Sequence, residues 1–383
     1  MTHATHSRAK RGHRTGWSTG ACAAAAATAA ACGLETGQIP EQIDIHLPEN
    51  RVACFAVIDA ELTADLARAT VIKDAGDDPD VTNGARIMAE VSPLPCPPET
   101  PGAIRIDGGA GVGRVTRAGL GLPVVEAAIK PNPRRYLAAN VRAAAPHLLE
   151  TGALLVRIAV ADGERLARRT LNPRLGIEGG ISILGTTGVV YPYSTAAFKA
   201  TVIQGVQVAV AQGQQTVCFT TGRRTETYCM TAHPELPEVC FVQMGDFVGA
   251  ALDAASQMGI RRVLVGAMAG KLTKIAQGLR ITHARKAPVD MQLLARLAAE
   301  AGADAALCER VPDGATARWV AELIDGAGLT ARFHQVLTQA AAQTVAARLP
   351  PGTQVELLAW GPEGEPLGRA ETRGSGVAPR LAR

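Results

Sequence analysis

The stretch VIKDAGDDPDVTNG, residues 71–84, gathers Lys73, Asp74, Asp77, Asp78 and Asp80 around Gly76 and Pro79. Carboxylates at this density can hold a cation, orient the N–H groups of a ligand or accept a proton, and crowding raises their proton affinity. Gly76 and Pro79 can fix a tight loop at the end of the apolar run ARATVIK, which makes Asp74, Asp77 and Asp78 the candidate catalytic carboxylates. A solvated acidic turn explains the same residues, and the spacing does not follow the EF-hand pattern. Two glycine-rich stretches, GGAGVGRVTRAGLGLP (108–123) and NPRLGIEGGISILGTTG (172–188), carry Arg114, Arg117 and Arg174. Backbone amides beside guanidinium forks suit carboxylates or phosphates, and tight turns account for the glycines equally well. Arg114 stands where a G-x-G-x-x-G fingerprint requires its last glycine, so no dinucleotide motif is read.

Three further turns each follow a short apolar run: TTGRRTE (220–226), QMGD (243–246) and GAMAGKLTK (266–274). If the runs are adjacent strands of an open sheet, their ends form one crevice lined by Thr220, Thr221, Gly222, Gly245, Asp246, Gly266, Gly270 and Lys271. Gly266 to Lys271 is one residue short of a phosphate loop and has Leu272 where serine or threonine binds magnesium, which disfavours a nucleoside triphosphate. His283 lies near Arg285 and Lys286, and a lone histidine is more often structural than catalytic.

The elements that must position these residues begin with RTGWSTGACAAAAATAAACG, Arg14 to Gly33. Ser18 or Thr19 caps a helix of small residues that Gly33 stops. Such a helix either wedges against other backbone or offers its N-terminus, with Thr19 and Gly20, to an anion. QIDIHLPENRVACFAVIDA alternates as a hairpin; ARATVIKD, GARIMAEVS, AIRIDG and GRVTRAG are strands; ALLVRIAVADGERLARRT reads as a hairpin turning at Asp162 and Gly163. PNPRRYLAANVRAAAPH is a helix, with Asn132 as cap and Pro133 at its first position. Residues 14–193 thus read as an α+β domain with a substantial sheet. From Ser194 to residue 370 helices and strands alternate in a βαβ cadence, which predicts an α/β domain with a mostly parallel sheet; 1–13 and 371–383 read as disordered.

Composition limits the partners. The chain has 383 residues, 47% of them hydrophobic and only 3% aromatic, with a formal charge of +4. That is core enough for two or three domains, but few platforms on which single-stranded nucleic acid can stack, and neither nucleic acid nor a membrane is an expected partner. The eight cysteines form no CxxC motif and no apolar leader precedes them, so reduced thiols, no protein-bound metal and a cytoplasmic location are expected.

These motifs resemble a known family. RTGWSTGACAAAAATAA, VIKDAGDDPDVTNGA, GGAGVGRVTRAGLGLPVVEAAIKPNPRR, NPRLGIEGGISILGTTGVVYPYS, FTTGRRTE and VQMGDFVGAAL look like those of the cobalt-precorrin-5B C(1)-methyltransferases of cobalamin biosynthesis, the CbiD family, in the family's order. The resemblance implies a smaller parallel-sheet second domain. It also implies methyl transfer from S-adenosyl-L-methionine to ring carbon 1 of cobalt-precorrin-5B, giving cobalt-precorrin-6A, with the cobalt part of the substrate. Departures are Trp17 and Ser18 where the family often has Tyr and Thr, Met268 where a histidine is expected, and Ala284; Gly266, Gly270, Lys271 and His283 remain transferable.

On this reading the acidic rim of the macrocycle favours Arg114, Arg117, Arg174 and Arg223, with Thr19, Gly20, Lys73 and His283 also on the substrate side. The eight crevice residues take the donor. Transient contact with other enzymes of the pathway is compatible with this, and the sequence is silent on oligomeric state. A non-catalytic tetrapyrrole carrier using the same cleft is the alternative, and a nicotinamide-dependent reductase of the macrocycle lacks its fingerprint.

Overall fold

The computed structural model describes residues 14–94, 101–283, 288–314 and 316–376. The chain divides into two compact units, Met1–Thr195 and Ala196–Arg383. The first unit opens with β1 (Gly16–Trp17) and α1 (Thr19–Thr36), then a hairpin of β2 (Gln42–Leu47) and β3 (Arg51–Ala56). Next come β4 (Asp59–Leu62), β5 (Ala67–Ile72), β6 (Arg86–Pro93), β7 (Ile104–Gly108), β8 (Gly111–Val112) and β9 (Arg114–Val115). After α2 (Pro131–Ala144) and α3 (Pro146–Thr151) the chain forms β10 (Leu154–Val160), α4 (Gly163–Ala167), α5 (Asn172–Leu175), β11 (Ile177–Glu178), β12 (Gly180–Ile181) and β13 (Val189–Val190). Its main sheet has the order β4-β5-β6-β10-β7, antiparallel except for the β10–β7 pair.

Helix α1 lies inside this unit, with Ala21 to Ala27 and Ala29 to Ala31 completely buried. It packs on α2, β5 and β6, where Ala67, Ala69 and Ala89 join the same core, so small side chains on both partners let the backbones come close. Ser18 caps it, accepting the Ala21 N–H at 3.1 Å. The expected stop at Gly33 is corrected: the helix runs on to Thr36, and Gly37 ends it at φ 79° with its N–H on the Gly33 carbonyl. Gly33 lies within the helix, and a side chain there would strike Ile39.

Two more expectations change. The segment after Asp162 is helix α4, not a second hairpin strand, since β10 already has β6 and β7 on its two edges. Helix α2 starts two residues earlier than expected, with Lys130 as cap in place of Asn132 and Pro131 first in place of Pro133, where a missing N–H is harmless.

The second unit contains α6 (Thr195–Ala211), which opens at the boundary, β14 (Thr216–Thr220), α7 (Arg223–Ala232), β15 (Phe241–Gln243), α8 (Val248–Gln257), β16 (Arg262–Met268) and α9 (Ala269–Ala276). It continues through α10 (Met291–Glu300), α11 (Ala305–Arg310), α12 (Ala317–Gly326) and α13 (Thr330–Ala346) to β17 (Gln354–Trp360) and β18 (Pro366–Arg373). The sheet order is β15-β14-β16-β17-β18, the first four parallel and β18 antiparallel. Val217, Phe219, Val263, Val265, Val355 and Leu357 share one core with residues of α8, α9 and α13, whereas Cys218, Leu264 and Leu358 pack with Cys229 of α7. Alternation along buried strands thus places helices on both faces.

Helices α7 and α13 lie outside the sequence expectation. The expected disorder from Glu371 is corrected too: β18 extends to Arg373, and Ser375 and Gly376 donate to the carbonyls of Ala346 and Leu349. Residues 1–13 and 377–383 of the expected disordered ends lie outside the described residues, among which no helix is long and apolar enough to cross a membrane.

Candidate active site

Most aspartates of the 73–84 loop are held by partners far away in sequence. Arg14 grips Asp74 with both terminal nitrogens, one of them 2.9 Å from Oδ1, and its backbone N–H donates to Asp77 at 2.9 Å. Asp78 accepts the Tyr193 N–H at 2.9 Å. Asp80 accepts from Lys73 Nζ and from both the N–H and hydroxyl of Thr82, each at 2.7 Å. Backbone contact completes the frame, with the Trp17 N–H 2.7 Å from the Asp74 carbonyl oxygen and the Asp77 N–H 3.0 Å from that of Arg14. Gly16 and Gly76 allow this approach, because a Cβ on either would collide with the opposing main chain.

The expected mutual rise in proton affinity is therefore reversed where a shift is evident. Hydrogen bonds from Arg14 and the Gly76 N–H hold the Asp74 carboxyl below the usual carboxylate range. Burial alone would raise Asp80, but the Lys73 charge and the donors from Lys73 and Thr82 outweigh it and hold this carboxyl down as well. Carboxylates stabilised as anions are weak bases, and what this geometry supplies is fixation of Arg14, Lys73 and Tyr193. Lys73 is itself only 1% exposed.

A strap of residues 182–188 crosses the start of α1. Ser18 and Gly20 donate their N–H groups to the carbonyls of Gly188 and Leu184 at 2.8 and 2.9 Å. The Thr19 hydroxyl lies 3.1 Å from the Ser182 carbonyl oxygen and accepts the Leu184 N–H at 2.9 Å. Thr19 and Gly20 thus meet the protein's own carbonyls, and α1 is wedged into the core of its unit.

Among the arginines, Arg114 is exposed at the surface, 3.2 Å from Asp107 and 3.1 Å from the Gly108 carbonyl oxygen. Arg117 donates to the Arg174 carbonyl at 3.4 Å, so these two are brought together beside the β9–β11 pair. Arg223 belongs to the second unit, as the first residue of α7.

In that unit the chain leaves β14 for β15 on one side and then crosses to β16 on the other, so successive connections diverge at the C-terminal ends of β14 and β16. This is the switch point at which open sheets bind ligands. Lys271 Nζ donates to the Thr221 carbonyl at 3.0 Å and lies 3.2 Å from Asp246 Oδ1, which also accepts the Thr282 hydroxyl at 3.1 Å. One ammonium ties the turns after all three strands together. The Gly245 N–H lies 3.3 Å from the Thr220 carbonyl oxygen, and Gly266 is packed against Cys229. At Gly222 and Gly270 a Cβ would meet nothing within 4 Å, so the starts of α7 and α9 border open space. Thr220 is completely buried and its hydroxyl has no hydrogen-bond partner among the described residues. His283 is exposed, and its carbonyl accepts Lys274 Nζ at 3.3 Å.

Sequence reading overlooks several groups that build these sites. Arg14 carries no local signal, because its partners lie 60 and 63 positions downstream. Tyr193 did leave a trace: it follows Pro192, at the place in a proline turn that usually goes to glycine or asparagine, and it sits at φ 56°. Glu226, buried and 2.6 Å from Gln243 Nε2, and Thr282 belong with the crevice.

Residues 6–192 match the family model described as CbiD, and residues 281–371 match that of the CbiD C-terminal domain. The chain is 51% identical over 348 residues to the cobalt-precorrin-5B C(1)-methyltransferase of Methylococcus capsulatus, covering 91% of each chain. It is 50% identical over 362 residues to that of Polaromonas naphthalenivorans, covering 94% of this chain and 98% of the relative. The protein of the same name from Geobacillus kaustophilus is 44% identical over 362 residues, with 94% and 95% covered. A crystal structure of the cobalamin biosynthesis protein (cbiD) from Archaeoglobus fulgidus is 30% identical with a TM-score of 0.38, covering 70% of this chain and 80% of that one.

Proposed function

Because the chain belongs to the CbiD family, we propose that it methylates carbon 1 of cobalt-precorrin-5B with S-adenosyl-L-methionine, giving cobalt-precorrin-6A, in the cytoplasm. The observation that carries this reading is the crevice where Thr221, Asp246 and Lys271 meet at the switch point of the parallel sheet. Its residues fit an adenosyl donor: the orphaned Thr220 hydroxyl offers a hydrogen bond, and the space beside Gly222 and Gly270 is a cradle that side chains would fill. S-adenosyl-L-methionine supplies a methyl group made electrophilic by its sulfonium. The chain's part is to hold the reacting atoms in line and keep water out, and positioning of this kind can contribute about 7–11 kcal/mol. Gly245, Gly266 and the Asp246–Lys271 pair keep the three turns in register around the donor.

The acetate and propionate groups of the macrocycle pair with Arg117 and Arg174, while Arg114, Arg223 and His283 complete the polar surroundings in their respective units. Thr19, Gly20 and Lys73 act from inside, fixing the strap and the 73–84 loop. Asp74, Asp77 and Asp78 serve as acceptors that set this loop against Arg14 and Tyr193. No covalent nucleophile is needed, and burial pushes the thiols of Cys22 and Cys240 up to about 12 and about 11, which keeps both protonated at neutral pH.

Incubation of the purified chain with cobalt-precorrin-5B and methyl-labelled donor tests the proposal. NMR should place the label on carbon 1, and calorimetry should register S-adenosylhomocysteine binding without corrinoid present. Corrinoid binding with neither label transfer nor heat from S-adenosylhomocysteine would make the protein a carrier instead.

A further inference from the structure

Four tyrosines occur in the whole chain, and two of them, Tyr191 and Tyr193, stand on either side of Pro192 at 48% and 65% exposure. Neither is used to fill the core. Tyr193 occupies left-handed backbone at φ 56°, where a bulky side chain is unfavourable and glycine is at ease, so local folding does not ask for tyrosine here. The turn is nevertheless anchored twice. The Tyr193 N–H is bonded to Asp78 at 2.9 Å, and three residues upstream β13 pairs with β1, Gly16 opposite Val190. Strand β1 is in turn seated on the aspartate loop through the Trp17 N–H and the Asp74 carbonyl. A strained, exposed ring on a doubly anchored turn is built to present that ring.

We propose that Tyr193 contacts the flat face of the macrocyclic substrate and that Asp78 is a positioning residue that holds it for that contact. The inference rests on the function proposed above and assigns a contact within it. A conjugated macrocycle has broad apolar faces as well as an acidic rim. Arginines answer the rim; an aromatic ring with two rotatable bonds answers the face, with little freedom left to lose on binding. Asp78 acts here through an oxygen that accepts a backbone N–H, a task that needs neither its charge nor a proton transfer. Leu184, 49% exposed on the strap over α1, and Tyr191 are the other large hydrophobic side chains that the 182–193 segment exposes.

Steady-state kinetics on the full chain test this. Tyr193→Ala and Asp78→Ala should each raise the KM for cobalt-precorrin-5B about tenfold, with the donor KM and the kcat at saturation within about twofold of the wild type. Tyr193→Phe keeps the ring and should restore the KM. Asp78→Asn keeps an acceptor oxygen and should restore it too, whereas a base at this position would lose kcat in the Asn variant as fully as in the Ala variant. Tyr193→Gly suits the backbone, so its melting temperature should match or exceed the wild type while its KM rises like that of the Ala variant. An unchanged KM in Tyr193→Gly, or an Asp78→Asn variant as impaired as Asp78→Ala, overturns the proposal. If the wild type binds corrinoid without methylating it, the functional reading fails by itself; optical titration of corrinoid against wild type and Tyr193→Gly then reads the contact, and equal affinities overturn it.

Discussion

In the second unit the three turns of the crevice come together because β14, β15 and β16 are parallel neighbours; Lys271 then ties turns that the sheet has already brought together. In the first unit only the two-residue β1–β13 pair stands behind the meetings of Arg14 with Asp74, Tyr193 with Asp78 and Thr19 with Leu184, pairs that are 60, 115 and 165 positions apart. Polar contacts and close backbone approach do that work. The contrast says where losing a polar tie should do its damage: to folding at the Lys73–Asp80 pair of the first unit and to donor binding at Lys271 of the second.

The largest effect is expected at Asp80. Its partner Lys73 is 1% exposed, so Asp80→Asn leaves an almost fully buried ammonium without a counter-charge and should destabilise the protein by about 3–5 kcal/mol in urea unfolding at pH 7. Adding Lys73→Met should recover most of that loss. The sign with pH follows from the lowered folded-state value of Asp80. Its contribution is complete above the unfolded carboxylate value near 4 and is lost as pH falls through the folded value, so the gap between wild type and Asp80→Asn should narrow below about pH 4. A gap that stays constant down to pH 3 would remove the pair as its cause.

Next comes Gly16. An added methyl would collide with the Ala75 carbonyl, and Gly16→Ala should cost about 1–3 kcal/mol as the main chains are forced apart. Gly222→Ala in the other unit has open space and extended backbone, so its melting temperature should not fall. Equal losses from the two substitutions would erase the distinction between the units.

Lys271→Met sharpens it from the other side. Both members of the Lys271–Asp246 pair are partly exposed, so the stability loss should stay below about 1 kcal/mol. S-adenosylhomocysteine affinity should nevertheless drop about tenfold, equivalent to about 1.4 kcal/mol, as the three turns lose their common tie. Calorimetry that shows wild-type affinity would take Lys271 out of the donor site.

What could be read in advance follows the same division. The βαβ cadence was visible because buried parallel strands are continuous apolar runs such as VCFT and VLVGA, and the crevice residues follow from it by position alone. Helix α1, with a cap at Ser18 or Thr19, is legible for local reasons as well, and the structure uses Ser18. The partners of the aspartates were not, because nothing near Asp74 or Asp78 in sequence names Arg14 or Tyr193; the carboxylates were read against each other when most of them answer to distant groups. Gly33 is a glycine for a related reason, since the Ile39 side chain that a Cβ there would strike lies beyond the helix end.

The smallest expected effect pulls stability and function in opposite directions. Gly270 is the second residue of α9, and a Cβ there meets no other atom within 4 Å. Glycine inside a helix is less favourable than alanine by about 0.5–1 kcal/mol, so Gly270→Ala should raise stability by up to that amount if packing alone is considered. The same methyl group would enter the space that the donor needs beside the start of α9. Affinity for S-adenosylhomocysteine should then fall severalfold while the melting temperature holds or rises, a pairing that a merely structural glycine cannot produce. A variant that is more stable and binds the donor as tightly as wild type would show that the crevice opens elsewhere, along Thr221 and Gly222 rather than along α9.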